Sequence, residues 1–398
     1  MNPLFQQLMS RASKLTQGGN LQAATDAIQR ALNPDRYAAD EEAQAKQAPA
    51  SAPSPFARSA DQRRHDNESI VIEGHVRVID DAPAPAAEPG AKSASEPDPA
   101  SRSAEAVPER WTDGSFSHQG RTLAYKLYVP PHLAGSAPAP RPLILMLHGC
   151  TQNPDDFAAG TRMNDLARRE GFVVVYPAQT AHANSQKCWN WFKPQHQKRG
   201  RGEPALLAAL TQHVAGTENV DSARIYAAGL SAGGAMADIL GQTYPDVFAA
   251  VGVHSGLAAG AASDVVSALA AMRSGGKAGP SGGTSSVPTA PVIVFHGDAD
   301  STVNPVNAKA VVNAALAGTG TSGQNQQPRA SGGTSSGGQR YQRTDYPRAD
   351  GSTAVELWML HGAGHAWSGG SASGSYTDAR GVDASAEMLR FFLAHRRS

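Results

Sequence analysis

The sequence predicts an α/β fold in which a mostly parallel β-sheet is covered by helices on both faces. The first observation is a series of short apolar runs, each about as long as one buried strand. The second is that segments with helical periodicity separate most of these runs, as in sheets built from β–α–β units. The third is a Gly-x-Ser-x-Gly pentapeptide that lies between one such strand and one such helix, at residues 229–233.

The predicted elements alternate regularly from about Trp111 onward. The strands are predicted at residues 121–129, 142–147, 172–176, 225–228, 249–253, 292–295 and 355–359. The first alternates apolar and polar residues like a half-buried edge strand, whereas the second is apolar throughout. The helices are predicted at residues 154–169, 203–215, 232–243 and 383–395. Two Gly- and Ser-rich stretches, about 274–286 and 318–338, are predicted to be flexible surface insertions.

Composition divides the chain into three regions. Residues 1–35 contain two segments with apolar residues at helical spacing, separated by Gly18-Gly19-Asn20, and we interpret them as a helical hairpin. This hairpin is too small to bury its apolar faces alone. It is therefore either a frayed amphipathic tail or a docking element for a partner or a hydrophobic particle. Residues 36–110 are rich in Ala, Pro, Ser, Glu and Asp and are predicted to be a disordered linker. Residues 111–398 form the predicted α/β domain, which contains the alternating strands and helices.

Charge and hydropathy exclude several classes of protein. The 398 residues include 35 basic and 35 acidic side chains, so the net charge gives no reason to expect nucleic-acid or anionic-membrane binding. No apolar run approaches the roughly 18 residues of a transmembrane helix. The first residues lack the charged, apolar and small-residue regions of a secretory signal, which predicts a cytoplasmic location.

The pentapeptide at residues 229–233 is specific because of its flanks. Residues 223–228 form a short apolar strand, and the residues after the pentapeptide have the character of a helix. A strand, a tight Gly-x-Ser-x-Gly turn and a helix make the nucleophile elbow of an α/β-hydrolase. In such an elbow Gly229 and Gly233 let the strand and helix approach closely, and Ser231 is held in a strained turn. The alternative is a Gly-rich connection with an incidental serine.

Candidates for the other two members of a catalytic triad follow later strands. Asp298 and Asp300 come after the strand at 292–295, where an α/β-hydrolase places the acid that orients its histidine. On chemistry alone, both carboxylates remain candidates. The strand at 355–359 leads to a Gly-rich loop that contains histidines, residues 361–367. The order serine, aspartate, histidine is that of the α/β-hydrolases.

An early strand supplies the predicted oxyanion hole. The apolar run that ends at Leu147 is followed by His148-Gly149-Cys150. This is the position at which such enzymes donate a backbone N–H group from the loop after an early strand. We predict that the N–H groups of Cys150 and Ala232 bind the oxyanion, Ala232 being the residue after the candidate nucleophile. Cys150 would then act through its backbone and not through its sulfur.

Several motifs extend this pattern over roughly residues 115–395. They are His148-Gly149-Cys150-Thr151-Gln152, Tyr176-Pro177, Cys188-Trp189-Asn190-Trp191-Phe192, the Gly-rich run 229–234, His254-Ser255-Gly256 and Gly364-His365-Ala366-Trp367. Together they resemble the poly(3-hydroxybutyrate) depolymerase family of esterases. The resemblance implies hydrolysis of carboxylic esters by Ser231, Asp300 and His365. Asp300 is placed by the related pattern His-Gly-x-x-Asp-x-x-Val.

The resemblance leaves the substrate and location open. The family is close to feruloyl and acetylxylan esterases, so the substrate is either a 3-hydroxybutyrate polyester and its oligomers or a carbohydrate-linked or small ester. A third alternative is a catalytically inactive protein that binds polyester granules, with residues 1–35 as the contact. A serine mechanism with an acyl-enzyme needs no metal and no cofactor. Many family members are secreted, so an extracellular location is the alternative to a cytoplasmic or granule-associated one.

The cysteines and tryptophans of these motifs indicate two further features. A disulfide between Cys150 and Cys188 would tie the loop of Cys188 to the oxyanion turn, and the alternative is two free thiols, as is usual in cytosolic proteins. Trp189, Trp191 and Trp367 lie in motifs around the predicted centre. We predict that they line an apolar crevice for an acyl chain or a polyester strand.

Overall fold

The computed structural model describes residues 106–133, 139–276, 289–318 and 327–397, all within the compact unit that spans residues 95–398. The predicted hairpin at 1–35 and the predicted linker as far as residue 105 lie outside the described residues. No helix of the described part of the chain is long and apolar enough to span a membrane.

Strands and helices alternate through the described chain. The strands are β1 (Ala106–Val107), β2 (Arg110–His118), β3 (Arg121–Val129), β4 (His132–Leu133), β5 (Arg141–Leu147), β6 (Val173–Pro177), β7 (Val220–Leu230), β8 (Ala250–His254), β9 (Val292–Gly297), β10 (Arg329–Thr334), β11 (Arg340–Pro347), β12 (Thr353–Leu360), β13 (Trp367–Ser368) and β14 (Thr377–Asp378). The helices are α1 (Pro154–Thr161), α2 (Met163–Glu170), α3 (Gly202–Thr217), α4 (Ala232–Thr243), α5 (Val265–Ser274), α6 (Val306–Gly318) and α7 (Ala384–Leu393), with a short 3₁₀ turn at Pro194–His196.

A single large sheet organises these elements. Its strand order is β10-β11-β12-β9-β8-β7-β5-β6-β3-β2. The strands from β12 to β6 are parallel to one another, whereas β10, β11, β3 and β2 join antiparallel at the two sides. The mostly parallel sheet predicted from the sequence is confirmed.

The core lies on both faces of the sheet, as the apolar runs predict. In β5, Leu143 and Leu145 belong to one apolar cluster, to which α3, α4, α5 and α6 also contribute. The intervening Ile144 and Met146 belong to the other cluster, together with side chains of α1, α2 and α7. Alternate residues of a strand point to opposite faces, so a strand covered on both faces must be apolar at every position.

One helix prediction and one loop prediction are wrong in detail. The helix predicted at 154–169 is two helices, because Arg162 has a left-handed backbone with a φ of 54° that ends α1 and precedes α2. The stretch at 318–338, predicted to be a flexible insertion, contains β10, which pairs with the unpredicted β11. Both strands are largely polar and partly exposed, so they lack the apolar runs by which the other strands were recognised.

The sequence also missed elements at other places. Strand β2 and the two helices α5 and α6 were not predicted, and α6 begins soon after the loop that carries Asp300. Ala106–Val107 and Arg110, which fell within the predicted linker, belong to β1 and β2. Their pairing partners lie more than ten residues away along the chain, so local composition did not reveal them.

Candidate active site

The carboxyl ends of the parallel strands meet at one edge of the sheet. Their register is direct: Leu147 of β5 lies opposite Gly229 of β7, and Gly297 of β9 lies opposite Leu360 of β12. The loops that follow these strands therefore lie side by side. In open α/β sheets, this edge is where ligands bind.

Ser231 lies in the turn between β7 and α4. Its backbone has a φ of 57° and a ψ of −117°, a conformation that costs free energy for a residue with a side chain and is typical of functional sites. The turn is held because the Ser231 N–H donates to the carbonyl of His254, at a distance of 2.8 Å. The helix begins at Ala232, directly after the serine. The structure therefore places Ser231 in the geometry of a nucleophile elbow.

The elbow requires glycine at two positions. A Cβ atom on Gly233 would lie 2.0 Å from the carbonyl oxygen of Leu147, and one on Gly229 would lie 2.4 Å from the backbone of Gly233. Both contacts are with backbone atoms that cannot move aside. The helix, the strand of the nucleophile and the neighbouring strand β5 can approach this closely only because neither residue has a side chain.

Asp300 and His365 form a hydrogen-bonded pair. His365 Nδ1 lies 2.7 Å from Asp300 Oδ2, and Asp300 Oδ1 accepts the backbone N–H groups of Thr302 and Val303 at 2.9 and 2.8 Å. Burial by itself would raise the pKa of Asp300, but the bond to His365 and the backbone donors hold that pKa below its usual value. Because Nδ1 is bonded to the carboxylate, Nε2 is the ring nitrogen left for proton transfer with a substrate or a nucleophile.

Asp298 has a different partner. Its Oδ2 lies 2.8 Å from His361 Nδ1, and its Oδ1 accepts the N–H of Gly362 at 2.7 Å. This second pair is about two-fifths exposed, whereas the Asp300 carboxylate is fully buried. The two candidate acids thus differ in the histidine that each one binds. Asp298 binds His361, and Asp300 binds His365.

A catalytic triad also has a contact between its serine and its histidine. Within the part of the chain that the structure describes, no hydrogen bond of 3.5 Å or less joins Ser231 Oγ to His365. Catalytic hydrogen bonds are often long in unliganded enzymes and shorten when substrate is bound. The structure therefore brings together Asp300 and His365, and it places Ser231 on a neighbouring loop of the same sheet edge.

The turn after β5 lies beside the elbow. A Cβ atom on Gly149 would lie 3.7 Å from Ser231 Cβ. The Gly149 N–H is already used, since it donates to Gln152 Oε1 at 2.9 Å. Among the described residues, the N–H groups of Cys150 and Ala232 have no hydrogen-bond acceptor. These are the two donors that the sequence predicted for an oxyanion.

A disulfide fixes this turn to a neighbouring loop. Cys150 and Cys188 are bonded, with their Cα atoms 4.2 Å apart. Next to the bridge, the Thr151 N–H donates to the carbonyl of Gln186 at 2.6 Å. The Cys188 loop is therefore joined to the turn by both a covalent bond and a backbone hydrogen bond.

The prediction that Trp189, Trp191 and Trp367 line an apolar crevice for substrate is wrong. The exposed fractions of the three residues are 0%, 4% and 1%, so a substrate cannot reach their faces. Trp189 donates its indole N–H to the carbonyl of His148, and Trp367 donates to Ser385 Oγ. Their large apolar rings are core side chains, and the indole N–H groups of Trp189 and Trp367 are satisfied internally, as is usual for buried tryptophan.

Sequence reasoning missed two buried groups of this region. His296 Nε2 lies 2.8 Å from the carbonyl of Val303 and 3.5 Å from Asp300 Oδ2, and burial lowers the pKa of this histidine. Glu203, in the first turn of α3, accepts hydrogen bonds from the loop of Asn190. An acid in the first turn of a helix is ordinarily a surface residue that stabilises the helix dipole, so no sequence signal distinguished it.

In the described residues, no group of three or more His, Cys, Asp or Glu side chains is arranged to hold a metal ion.

The fold and this edge of the sheet define the class of protein. Acetyl xylan esterase from Aspergillus awamori aligns with 72% of this chain and 100% of its own, with a TM-score of 0.57 and 17% sequence identity. At that identity the likeness shows the fold alone. The chain has the α/β-hydrolase fold that the elbow predicted.

The sequence relatives narrow the class to a family. The Esterase PHB depolymerase family matches residues 123–336, more than half of the chain, and the protein belongs to that family. The chain is 33% identical over 243 residues to poly(3-hydroxyalkanoate) depolymerase C of Paucimonas lemoignei, over 59% of this chain and 57% of the relative. It is 35% identical over 154 residues to feruloyl esterase B of Thermothelomyces thermophilus, over 38% of this chain and 50% of the relative. The chain thus spans about half the length of these curated relatives. The family resemblance inferred from the motifs is confirmed.

Proposed function

We propose that this protein is a serine carboxylesterase with Ser231 as nucleophile, His365 as general base and Asp300 as the acid that orients it. The observation that carries the proposal is the 2.7 Å pair of His365 and Asp300 at the sheet edge that also holds the strained Ser231 turn. Membership of an esterase family supports the same reaction class.

The proposed reaction transfers one proton through His365 in each of its two stages. His365 Nε2 takes the proton of Ser231 as Oγ attacks the ester carbonyl, and the buried Asp300 carboxylate stabilises the imidazolium that forms. The carbonyl oxygen becomes an oxyanion, held by the N–H groups of Cys150 and Ala232. The alcohol leaves with the proton of His365, and water hydrolyses the acyl-enzyme by the same steps.

The proposed substrate is a 3-hydroxybutyrate polyester or its oligomers. The support is the relative named poly(3-hydroxyalkanoate) depolymerase C, which matches over more residues than the feruloyl esterase does. Residues 1–35 are proposed to dock on the polyester granule through the apolar side chains of the two segments at helical spacing. A docked catalytic domain would act at a raised local concentration of polymer.

A feruloyl or acetylxylan type of substrate is the second candidate. Its support is the 35% identity to feruloyl esterase B over 154 residues. Purified protein is to be assayed on 3-hydroxybutyrate oligomers, amorphous polymer and methyl ferulate. Turnover of the oligomers and polymer that exceeds turnover of the ferulate supports the polyester proposal, and the reverse order supports the second candidate.

Ser231→Ala tests the reaction class. We expect it to abolish ester hydrolysis while the protein stays folded, since loss of a triad serine costs about 10⁶-fold in kcat. Ser222→Ala is the control, because Ser222 is an exposed residue of the same strand β7. Ester turnover and circular dichroism are measured for both. A Ser231→Ala protein that keeps more than roughly a few per cent of wild-type turnover would contradict the assignment.

A further inference from the structure

The carboxylate of Glu203 is buried and receives several N–H groups. The residue is 5% exposed. Its Oε1 accepts the side-chain N–H groups of Gln179 and Asn190, each at 2.7 Å, and its Oε2 accepts the backbone N–H of Asn190 at 2.7 Å. His196 Nδ1 lies 3.2 Å from the same Oε2. Four polar contacts therefore converge on a side chain for which the proposed reaction has no chemical use.

This arrangement requires an ionised acid. Burial by itself would raise the pKa of Glu203, but the contacts with His196 and Asn190 hold it below the usual value. Each of the two oxygens accepts at least one N–H group. A glutamine at this position would have to direct its own NH₂ group at one of those donors, whichever way its amide is turned.

A chain of hydrogen bonds leads from Glu203 to the oxyanion turn. Gln179, which donates to Glu203 through its side chain, donates its backbone N–H to His148 Nε2 at 3.1 Å. Since Nε2 accepts, the proton of the neutral ring is on Nδ1, which lies 2.7 Å from the carbonyl oxygen of Gly149 and donates to it. Burial lowers the pKa of His148 to about 4, so the ring is neutral at neutral pH.

The other side of the turn is held from the same carboxylate. Glu203 accepts the backbone and side-chain N–H groups of Asn190. The preceding Trp189 donates its indole N–H to the carbonyl of His148 at 3.1 Å. The side chain of Gln179 also donates to the carbonyl of Cys188. The His148 ring is thus held by Gln179, which Glu203 binds, and the His148 carbonyl is held by Trp189, which precedes the bound Asn190 in the chain.

The position of the Gly149 carbonyl determines the direction of the Cys150 N–H. The two groups belong to one peptide unit, and the described chain contains no cis peptide bond. In a planar trans peptide the C=O and N–H bonds point in opposite directions. When His148 holds the Gly149 carbonyl, it therefore also sets the direction of the Cys150 N–H, one of the two proposed oxyanion donors.

We propose that Glu203 is a positioning residue that aims the Cys150 N–H at the oxyanion through Gln179 and His148. This inference rests on the proposed esterase function, because it assigns a task to the same oxyanion hole. Glu203 itself touches no reacting atom. Its effect should appear where negative charge develops on the substrate oxygen and not where the neutral substrate is bound.

Glu203→Gln tests the proposal with p-nitrophenyl butanoate as substrate and a trifluoromethyl ketone as inhibitor. The ketone carbon accepts Ser231 Oγ, the serine proton passes to His365, and the carbonyl oxygen becomes an oxyanion in the hole. Loss of an oxyanion donor costs about 10²–10³-fold in kcat, so we expect a displaced donor to cost roughly 10-fold or more. The inhibition constant of the ketone should rise in parallel, while KM changes by less than about threefold.

Two further variants separate positioning from stability. Glu356→Gln is the control, because Glu356 is also a buried acid with Arg partners but lies on β12, away from the turn. We expect it to lower the melting temperature without changing kcat or ketone binding. Gln179→Ala keeps the backbone donor to His148 but removes the link to Glu203, and it should reproduce the kinetic signature of Glu203→Gln. If Glu203→Gln does not fold, the kinetics of Gln179→Ala test the positioning role instead.

The outcomes distinguish this proposal from the one on which it rests. If Glu203→Gln and Gln179→Ala only melt at lower temperature, with kcat and ketone binding within about twofold of wild type, the positioning role is overturned. If the wild-type protein hydrolyses no ester, or Ser231→Ala is fully active, the proposed function is overturned and this inference with it. A fall in kcat that tracks the weakening of ketone binding supports both.

Discussion

Asp298 and Asp300 are two positions apart in the chain, yet their surroundings differ. Asp300 is buried, accepts two backbone N–H groups and holds His365, whereas Asp298 is partly exposed and holds His361. Each carboxylate is an acceptor for an imidazole Nδ1, so the type of contact does not separate them. Burial and the identity of the histidine do, because a buried carboxylate depends far more on its hydrogen-bond donors than an exposed one does.

Replacement of each acid by its amide should therefore have unequal effects. We expect Asp300→Asn to lower kcat by about 10⁴-fold, the cost of neutralising a triad acid, because an amide does not hold the catalytic tautomer of His365. Asp298→Asn should be far less damaging, and it serves as the matched control. Both are measured with the same ester under the same conditions. If Asp298→Asn proved the more damaging variant, the two roles would have to be exchanged.

Asp238 is a buried acid of a different kind. It lies on α4, where its Oδ2 accepts the N–H of Ala259 at 2.7 Å and the side chain of Gln242 at 2.8 Å. Burial raises its pKa to about 7, although both hydrogen bonds oppose the rise. In an unfolded chain, the pKa of an aspartate is about 3.9. Between these two values, the folded state holds a proton that the unfolded state has lost.

The sign of the resulting pH dependence follows from this difference. A state that holds the extra proton is destabilised as protons become scarce, so the Asp238 contribution to stability falls as pH rises from about 4 to about 7. Asp238→Asn removes the ionisation and keeps an acceptor oxygen. We therefore expect its melting temperature, relative to wild type, to increase over that pH range and then to level off. Asp113→Asn, at an exposed position, is the control. A difference independent of pH would show that Asp238 does not titrate in this range.

At the scale of the element, the elbow depends on the absence of side chains. Gly233 is in the first turn of α4 and packs against the backbone of β5, whereas Gly216 is near the end of α3 with open space where a Cβ would lie. The same substitution should thus have opposite effects at the two sites. The difference arises from packing between elements and not from helix propensity.

Gly233→Ala should destabilise the protein by more than about 3 kcal/mol, in the upper range for single substitutions, because its Cβ would overlap the Leu147 carbonyl. Gly216→Ala should stabilise by roughly 0.5–1 kcal/mol, since alanine loses less backbone entropy in a helix than glycine does. Chemical denaturation of both variants measures the free energies of unfolding. A Gly233→Ala protein of wild-type stability would show that the elbow is looser than the structure has it.

At the scale of the whole molecule, the parallel sheet collects groups from distant parts of the chain. The turn at Gly149, the elbow at Ser231, and the loops of Asp300 and His365 follow four different strands. They meet because parallel strands end at one edge. Contact with a solid polymer is proposed for residues 1–35, which lie outside the described residues.

Deletion of residues 1–35 should weaken binding to native polyester granules and leave hydrolysis of a dissolved ester unchanged. The reason is that the apolar residues at helical spacing would lose their contact with the granule, while the catalytic domain stays intact. Co-sedimentation with granules measures the first effect. A full-length variant with Leu8→Glu and Ile28→Glu is the matched control, and it should bind as weakly as the deleted protein. Equal sedimentation of wild-type and deleted protein would rule out the docking role.

Much of this fold and the order of its chemical groups were determined by the sequence alone. A strand buried on both faces must be apolar throughout, as residues 142–147 are, and an elbow is a local pattern that five residues and their flanks define. The order of serine, acid and histidine is likewise a property of the chain. The polar pair β10 and β11 was missed, because its stability comes from hydrogen bonds between strands and not from a local apolar pattern.

Only the tertiary structure decided which groups meet. It paired Asp300 with His365 and Asp298 with His361, through contacts between residues more than sixty positions apart. It placed the predicted crevice residue Trp189 in the core, and it joined Glu203 to the oxyanion turn through Gln179. The physical reason is the same in each case. Burial and hydrogen-bond partners are set by segments that lie far apart in the sequence, and local composition carries no record of them.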